Sequence, residues 1–426
     1  MHVAILGNGV AGVSAALRIR ELQPEWKISL VSGESSYHWS RPALMYIFMG
    51  HMRYQETKPF PDSFWDERRI DRVRAWVTRI DTDNRRLECH DGSSVPWDRL
   101  LIATGAKSNK FGWPGQDLDG VQGLYGLNDL KNLYRTTADT RHAVIVGGGL
   151  IGIELAEMLR SRHIDVTFLV REQSYWDNVL NSEESGLINR LIRHHGIGLE
   201  LETQLDSIED DGKGRCSAVV TGDGRRLECQ IVGLTAGVSP NVGVAQESGI
   251  PTGRGVQVDR TLQTSVKDVW AAGDCAEIVK EGDARNLIQQ VWYTGKMQGV
   301  VAGENIADAP DGPRNYDPGI WFNSAKFFDL EYQTYGQVNF QISGEQNLYW
   351  QESDGRQAAR IVHVDGTVIG LQSMGIRWRH EVAESWIRQK RSVDEVIGSL
   401  SQLAFDQEFH RRQEPTIARV FREQLS

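Results

Sequence analysis

Cysteine is scarce in this chain: there are four, Cys89, Cys216, Cys229 and Cys275, and no two are spaced as C-x-x-C or C-x4-C. That excludes a zinc ribbon and a closely spaced redox dithiol. Long apolar runs are missing as well, because no stretch reaches the roughly 18 residues that a membrane-spanning helix needs. The first residues enter an apolar run at once, His2-Val3-Ala4-Ile5-Leu6, without a basic stretch or a small-residue cleavage site. The expectation is a cytoplasmic protein with no secretory leader. Positive charge is not in excess: 47 Lys+Arg stand against 57 Asp+Glu, a net charge of −10. A broad nucleic-acid-binding face is therefore not expected. Neither a nucleophile triad nor a zinc-ligand pattern is written in the sequence, so no metal site is expected. Hydrophobic residues at 40% and charged residues at 24% are ordinary globular proportions, which excludes a disordered or fibrous chain. At about 100–200 residues per domain, 426 residues predict two to four domains.

What is present is glycine in a particular place. The opening apolar run ends in Gly7-Asn8-Gly9-Val10-Ala11-Gly12, and an Ala-rich helical stretch follows over 13–22. Strand, tight turn and helix are the setting in which G-x-G-x-x-G carries chemistry. Gly7 permits the turn, Gly9 lets backbone approach a pyrophosphate, and Gly12 lets helix and strand pack closely. The helix start then offers its unpaired N–H groups to the anion. A second strand over 26–31 leads to Ser32-Gly33-Glu34, and Glu34 is the candidate ribose-binding acid.

The unit recurs. His142-Ala143-Val144-Ile145-Val146 runs into Gly147-Gly148-Gly149-Leu150-Ile151-Gly152, then into helical Ile153-Glu154-Leu155-Ala156-Glu157, with a second strand over 165–170. Each half also closes alike: Leu100-Leu101-Ile102-Ala103-Thr104-Gly105 in the first, Ile231-Val232-Gly233-Leu234-Thr235-Ala236-Gly237 in the second. The chain reads as an internal repeat of two dinucleotide-binding domains. A further strand, Val269-Trp270-Ala271-Ala272, delivers Asp274 at a glycine turn, where a carboxylate can accept hydrogen bonds from polyol hydroxyls.

Together these motifs resemble the two-dinucleotide-binding-domain flavoproteins, the pyridine nucleotide–disulfide oxidoreductases. Among them the chain looks most like the ferredoxin, rubredoxin and nitrite reductase types, which lack a redox disulfide. The resemblance covers residues 1 to about 306. It implies FAD on Gly7, Gly9 and Gly12, with Thr104 and Gly105 nearby and Asp274 on the ribityl chain, and NAD(P)H on Gly147, Gly149 and Gly152. It also implies that Arg41 and Pro42, in Ser40-Arg41-Pro42-Ala43-Leu44, lie by the FAD phosphates, and that Val77 begins the strand meeting the adenine. Gln290-Val291-Trp292-Tyr293-Thr294 resembles the segment whose backbone, at Trp292, reaches the flavin pyrimidine edge. Gly237, at the second closing turn, joins the cofactor-binding set.

The chain departs from the family pattern at three points. Met45-Tyr46 stands where ferredoxin-type members carry Ser-Lys, so Tyr46 replaces a lysine as the candidate beside the flavin ring. Glu154 matches the family glutamate that positions nicotinamide. The disulfide-reductase Cys pair is absent. Val170-Arg171-Glu172 ends the second coenzyme unit where NADH-preferring members place an acid, so Arg171 favours NADPH through a guanidinium–phosphate contact; the alternative is that Arg171 points to solvent and Glu172 serves the ribose 2′-OH of NADH.

Beyond residue 313 the resemblance fades. Asp365-Gly366 between two β-rich runs predicts a hairpin, and helical periodicity covers 381–389 and 393–403, with Ser392 and Asp394 near a cap. Phe327, Phe328, Trp378 and Trp386 could line the flavin face and dock a partner, but aromatics mostly fill cores, and packing is the favoured reading. His194-His195 is read as a solvated pair, and Glu183-Glu184 and Asp210-Asp211 as solvated charges.

The expected architecture is α/β. It has a discontinuous FAD domain (1–115 and 251–312), an inserted NAD(P) domain (116–250) and a C-terminal α+β interface domain (313–426). The expected function is an FAD-dependent NAD(P)H oxidoreductase. It would pass hydride to flavin and electrons on to a small iron–sulfur protein such as ferredoxin or rubredoxin, as a monomer or homodimer. A quinone reductase, docked on a membrane by an amphipathic helix, is one alternative. A redox-sensing scaffold resembling apoptosis-inducing factor is another.

Overall fold

The computed structural model describes residues 1–280, 286–338, 342–405 and 412–426. By its internal contacts the chain divides into two compact units. One holds Met1–Phe111, Gln122–Asp139 and Ala236–Pro318; the other holds Gly112–Val121, Thr140–Thr235 and Gly319–Ser426. Residues 122–139 and 236–250, counted with the NAD(P) domain on sequence, therefore pack with the first unit, and the C-terminal segment packs with the second dinucleotide-type sheet.

The first unit is built on a five-stranded sheet. Its order is Val269–Ala271, Arg99–Ile102, His2–Leu6, Lys27–Ser32, Ile70–Arg74, with every pairing parallel. Both faces of such a sheet are covered, so its strands read as continuous apolar runs; Val3, Ala4, Ile5 and Leu100 are fully buried. Helix Val10–Leu22 follows the first strand and packs along helix Trp292–Ile306. Small residues bring the two backbones together. A Cβ added at Gly299 would lie 2.3 Å from the Ala11 carbonyl oxygen, and one at Gly303 would lie 2.9 Å from that of Ala15. A three-stranded antiparallel sheet, Val77–Asp81, Arg86–Cys89 and Ser94–Pro96, completes the strand β-α-β pattern's appendage. The two similar closing segments pair with each other: Ala106–Ser108 runs antiparallel to Val238–Pro240.

The second unit repeats the core motif. Strands Gly198–Glu200, Asp165–Leu169, His142–Val146 and Ile231–Leu234 lie side by side in parallel, with helix Leu150–Arg160 following the glycine turn. The same unit contains a five-stranded antiparallel sheet ordered Phe322–Phe327, Leu330–Gly336, Thr367–Met374, Ala358–Val364, Glu345–Gln351. Asp365 and Gly366 form the hairpin turn with φ of 47° and 74°, the left-handed pair that such two-residue turns need. Helix His380–Arg388 follows, then Val393–Ser399, whose first turn is capped by Ser392 accepting from the Glu395 N–H.

Two sequence expectations, at Glu184 and His195, are corrected here, and the aromatic residues take the favoured core reading. Phe327, Phe328, Trp378 and Trp386 are buried rather than surface-docking residues. Trp378 and Trp386 fill the core between the antiparallel sheet and its helices, and Phe327 packs on Trp176 and Tyr332. Glu184 is not solvated: it is 1% exposed and paired with Arg360, also 1% exposed. His195 is not a free surface group, because its ring stacks on Phe328 and its Nε2 lies 3.0 Å from Asp329. Asp210, by contrast, is an exposed turn residue accepting from the N–H groups of Gly212, Lys213 and Gly214.

Candidate functional site: two glycine turns and their surroundings

In the first unit, the strand ending at Leu6 turns through Gly7, whose φ of +117° suits glycine and whose added Cβ would lie 2.1 Å from the Ala103 oxygen. Gly12 is closed in the same way, 2.1 Å from the Gly7 oxygen. Gly9 is the opposite: a Cβ there would meet nothing within 4 Å. Helix Val10–Leu22 begins beside that open space with no side-chain cap and no acid in its first turn. An uncapped helix start with room before it has the N–H groups and the space that an anionic group such as phosphate needs.

Side chains hold this turn in shape. The Asn8 amide donates to the Ser35 carbonyl (2.9 Å) and hydroxyl (3.1 Å), and His38 Nδ1 lies 2.8 Å from the Asn8 oxygen. Burial lowers the His38 pKa from its ordinary value, so this ring serves as a neutral strut. Nearby, Glu34 binds Arg41 through two hydrogen bonds of 3.1 and 2.7 Å and accepts the Leu127 N–H at 3.0 Å. Both Glu34 oxygens are thus engaged, and this acid acts on Arg41 and on the start of helix Leu127–Thr136.

Tyr125 ties the candidate residues into one cluster, and no motif had singled it out. Its hydroxyl donates to Asp274 Oδ2 (3.1 Å) and accepts the Ala106 N–H (2.8 Å). Its ring lies 4.7 Å from the Arg41 guanidinium, whose other ring neighbour is Trp39 at 5.0 Å. Gly105, with φ of +72°, must lack a side chain because a Cβ would sit 2.8 Å from the Tyr125 hydroxyl. Asp129 fixes the Tyr125 loop by accepting from the N–H groups of Tyr125 and Gly126. Burial raises the Asp274 carboxyl pKa, against the Tyr125 hydrogen bond and the Arg41 charge.

The remaining first-unit candidates lie around this cluster or apart from it. Thr104 donates to the Asn241 carbonyl at 2.7 Å. Pro42 opens the 3-10 turn Arg41–Ala43 that aims Arg41. Trp292 begins its helix, uncapped by any side chain, and is 40% exposed. Two residues earlier, the Gln290 amide nitrogen is buried with no protein partner, a donor available to a ligand. Gly237 belongs to this unit, turning at φ +84° where Asn109 donates to the Ala236 carbonyl. Val77 starts the strand Val77–Asp81. Tyr46 is half-buried in helix Leu44–Phe48 with its ring near His51.

The second unit has the same backbone with fewer polar supports. Gly147 turns at φ +117°, and a Cβ at Gly149 would meet nothing within 4 Å. Gly152 is closed by Tyr175 and Thr235. Helix Leu150–Arg160 has no side-chain cap and no acid in its first turn. The Tyr175 hydroxyl donates to the Gly149 carbonyl at 2.8 Å. At the end of the second strand Val170 is fully buried, while Arg171 is exposed and bonded to Glu172 at 2.7 Å. Glu154 lies within the helix, half-buried. Burial first, and the charge of Glu157 second, push its carboxyl up to about 7.

Two strand–glycine–helix turns stand in a chain whose residues 1–299 match the family of pyridine nucleotide-disulphide oxidoreductases. The chain belongs to the pyridine nucleotide-disulphide oxidoreductase family. Its cofactors are FAD and NAD(P)H, and it is an oxidoreductase. It is 31% identical to the rhodocoxin reductase of Rhodococcus erythropolis over 316 residues, covering 74% of this chain and 70% of that one. It is 32% identical to a CoA-dependent NAD(P)H sulfur oxidoreductase of Pyrococcus abyssi, covering 77% and 74%. Among solved structures it resembles the ferredoxin reductase for the CYP199A2 system from Rhodopseudomonas palustris. That match has a TM-score of 0.79 and 25% identity and covers 88% of this chain and 91% of that one.

The oxidoreductase family name mentions a disulphide, but this chain has none to offer: all four cysteines are free and buried. Burial pushes Cys216 up to about 11 and Cys229 up to about 12, far from a reactive thiolate. No helix among the described residues is long and apolar enough to cross a membrane, and none of those residues form a metal-binding cluster.

Proposed function

We propose that this protein is an NAD(P)H-dependent flavoprotein reductase that delivers electrons to a small iron–sulfur protein of ferredoxin or rubredoxin type. The observation that carries the reading is the pairing of two open dinucleotide cradles with the burial of every cysteine. Without an available thiol of its own, the chain has no protein relay between coenzyme and acceptor. FAD, when bound, supplies the capacity to take two electrons together and release them singly or as a pair.

The residues divide the work. Gly7, Gly9 and Gly12 receive the FAD pyrophosphate, Arg41 and Pro42 lie at its phosphates, and Asp274, steadied by Tyr125, holds the ribityl hydroxyls. Thr104, Gly105, Val77, Glu34, Gly237 and the helix start at Trp292 shape the rest of that site, and Tyr46 borders the ring. Gly147, Gly149 and Gly152 receive the coenzyme pyrophosphate. Glu154 orients the nicotinamide amide, which places the transferable hydride by position rather than by covalent chemistry. Arg171 favours NADPH by offering its guanidinium to the 2′-phosphate. The C-terminal segment, which packs in the same unit as the second glycine turn, serves as the interface for the acceptor. A cytoplasmic setting fits four unpaired cysteines.

Sequence similarity to the rhodocoxin and CYP199A2-system reductases supports an iron–sulfur acceptor. The C-terminal helices support it over quinone. Ala383, Trp386, Ile387, Val393, Val396, Ile417 and Phe421 turn their apolar faces into the protein core rather than toward a lipid surface. The deciding experiment is anaerobic titration with NADPH and NADH, followed by mixing with a [2Fe–2S] ferredoxin, a rubredoxin, a soluble quinone and CoA persulfide. Uptake of two electrons per flavin and fastest turnover with an iron–sulfur protein are expected. Uptake of four electrons, or preference for quinone or persulfide, overturns the proposal.

A further inference from the structure

Helix Leu150–Arg160 places Glu154 and Glu157 three residues apart, so both carboxylates lie on one face. Among the described residues only one has a cation. Glu157 Oε1 is 3.0 Å from Lys326 Nζ, while Glu157 Oε2 is buried with no partner. Lys326 comes from strand Phe322–Phe327 of the C-terminal sheet, which packs against this helix in the same unit. Its cross-strand neighbour is Glu331, but Glu331 is taken by Arg377. Lys326 is therefore committed to Glu157.

The other titratable groups on elements against the helix are engaged elsewhere. His142, at the start of its strand, sits between the Glu228 carbonyl and the Thr167 hydroxyl. Asp165 pairs with Arg160 at the far end of the helix. Two acids thus share one positive charge, and the one without it is Glu154.

We propose that Lys326 is a positioning residue for the coenzyme half-reaction. By fixing Glu157 as the charged member of the pair, it leaves Glu154 as the neutral, hydrogen-donating member that meets the nicotinamide carboxamide oxygen. This rests on the reading of Glu154 as the coenzyme-facing acid, and it gives the C-terminal domain a part in coenzyme handling. The elevated Glu154 carboxyl agrees with the arrangement.

The test is the pH profile of kcat/KM for the coenzyme, together with the infrared band of the protonated carboxyl in the flavin-loaded protein without coenzyme. Each variant is first matched to the wild type in flavin content. In the wild type both readouts should titrate near the same pH, and Glu154→Gln should remove both. Glu157→Gln, which deletes a like charge, should move the midpoint to lower pH by about one unit or more. Lys326→Gln should move it the opposite way, and Lys326→Arg should restore it. Lys326 is 40% exposed, so the Lys326 pair tests the idea without opening the core. If Glu154→Gln removes the titration but neither Glu157→Gln nor Lys326→Gln moves it, the Lys326 proposal is overturned and the Glu154 reading survives. If Glu154→Gln leaves both readouts unchanged, Glu154 is not the coenzyme-facing acid and both fall.

Discussion

Around residues 7–12 the backbone is gripped by Asn8, Ser35 and His38, with the Glu34–Arg41–Tyr125–Asp274 cluster close by. Around residues 147–152 the same backbone path is supported by little more than the Tyr175 hydroxyl. The second unit does bury a strong polar network, but elsewhere: Arg360 spans Glu184, Asn347 and Gln372 between helix Ser182–His194 and the C-terminal sheet. One unit has spent its buried hydrogen bonds on the ligand cradle, the other on joining a helix to a sheet. Under the proposed assignment, the difference separates a cofactor that stays from a coenzyme that must come and go. A cradle whose donors are fixed in advance loses little entropy on binding and releases its ligand slowly, whereas a sparsely supported one suits exchange.

That contrast can be broken most forcefully in the second unit. Glu184→Gln strands a buried guanidinium and should cost about 3–5 kcal/mol of stability. Denaturant unfolding followed by circular dichroism should register it, with flavin content in buffer unchanged. Replacing both partners, Glu184→Leu with Arg360→Met, should recover much of the loss. The cradles themselves come next. Gly9→Val should weaken FAD by at least about a hundredfold, near 2.7 kcal/mol, and give a colourless protein. Gly149→Val should stay yellow and lose only coenzyme affinity. If both variants lose flavin, the division of labour between the turns is wrong.

Glu154 supplies a pH-dependent prediction. Its carboxyl is raised to about 7, so the folded chain holds a proton that the unfolded chain releases. The stability this contributes is fully present below the ordinary carboxylate range and is lost as pH rises through about 7. Glu154→Gln should therefore gain on the wild type at pH 8 and not at pH 4, by at most about 3 kcal/mol, as thermal midpoints at the two pH values would reveal. Tyr125→Phe leaves Asp274 and the Ala106 N–H each one partner short, a penalty of about 1–3 kcal/mol. It should raise the FAD dissociation constant about 5- to 150-fold, measured by the fluorescence of released flavin, with KM for the coenzyme unchanged. The smallest effect is expected at Arg171, already half-neutralised by Glu172. Arg171→Ala should lower the NADPH/NADH ratio of kcat/KM by about tenfold at most, the lower end for a charge-assisted contact. An unchanged ratio removes Arg171 as selector.

Both glycine turns, the doubled sheet, the Asp365-Gly366 hairpin and the Ser392 cap were legible because each is a local rule: a left-handed φ, a side-chain cap or an apolar run within a few residues. Glu184 was misread because its partner lies 176 residues away, and local spacing says nothing about a charge at that distance. For Phe327, Phe328, Trp378 and Trp386 the choice between core and docking surface stayed open for a related reason, and the structure takes the favoured core reading. An aromatic side chain signals a large apolar area, not the direction it faces. Tyr125 was missed because its role exists only where three separate segments meet. A Tyr-Gly pair ahead of an Asp-containing helix start was its sole trace, and that pattern has no unique reading.

At Gly299 the obstacle to a side chain is a backbone oxygen, 2.3 Å from where a Cβ would stand. Such an oxygen cannot rotate aside; it moves only with helix Val10–Leu22, and so with the turn at Gly9. No single-base change that replaces this glycine is silent in effect. Across the same helix, Lys296 and Met297 face solvent, with no backbone pressed against them. The outer strip of this helix can therefore vary while its inner strip stays fixed. Inheritance is open on one side of the helix and closed on the other.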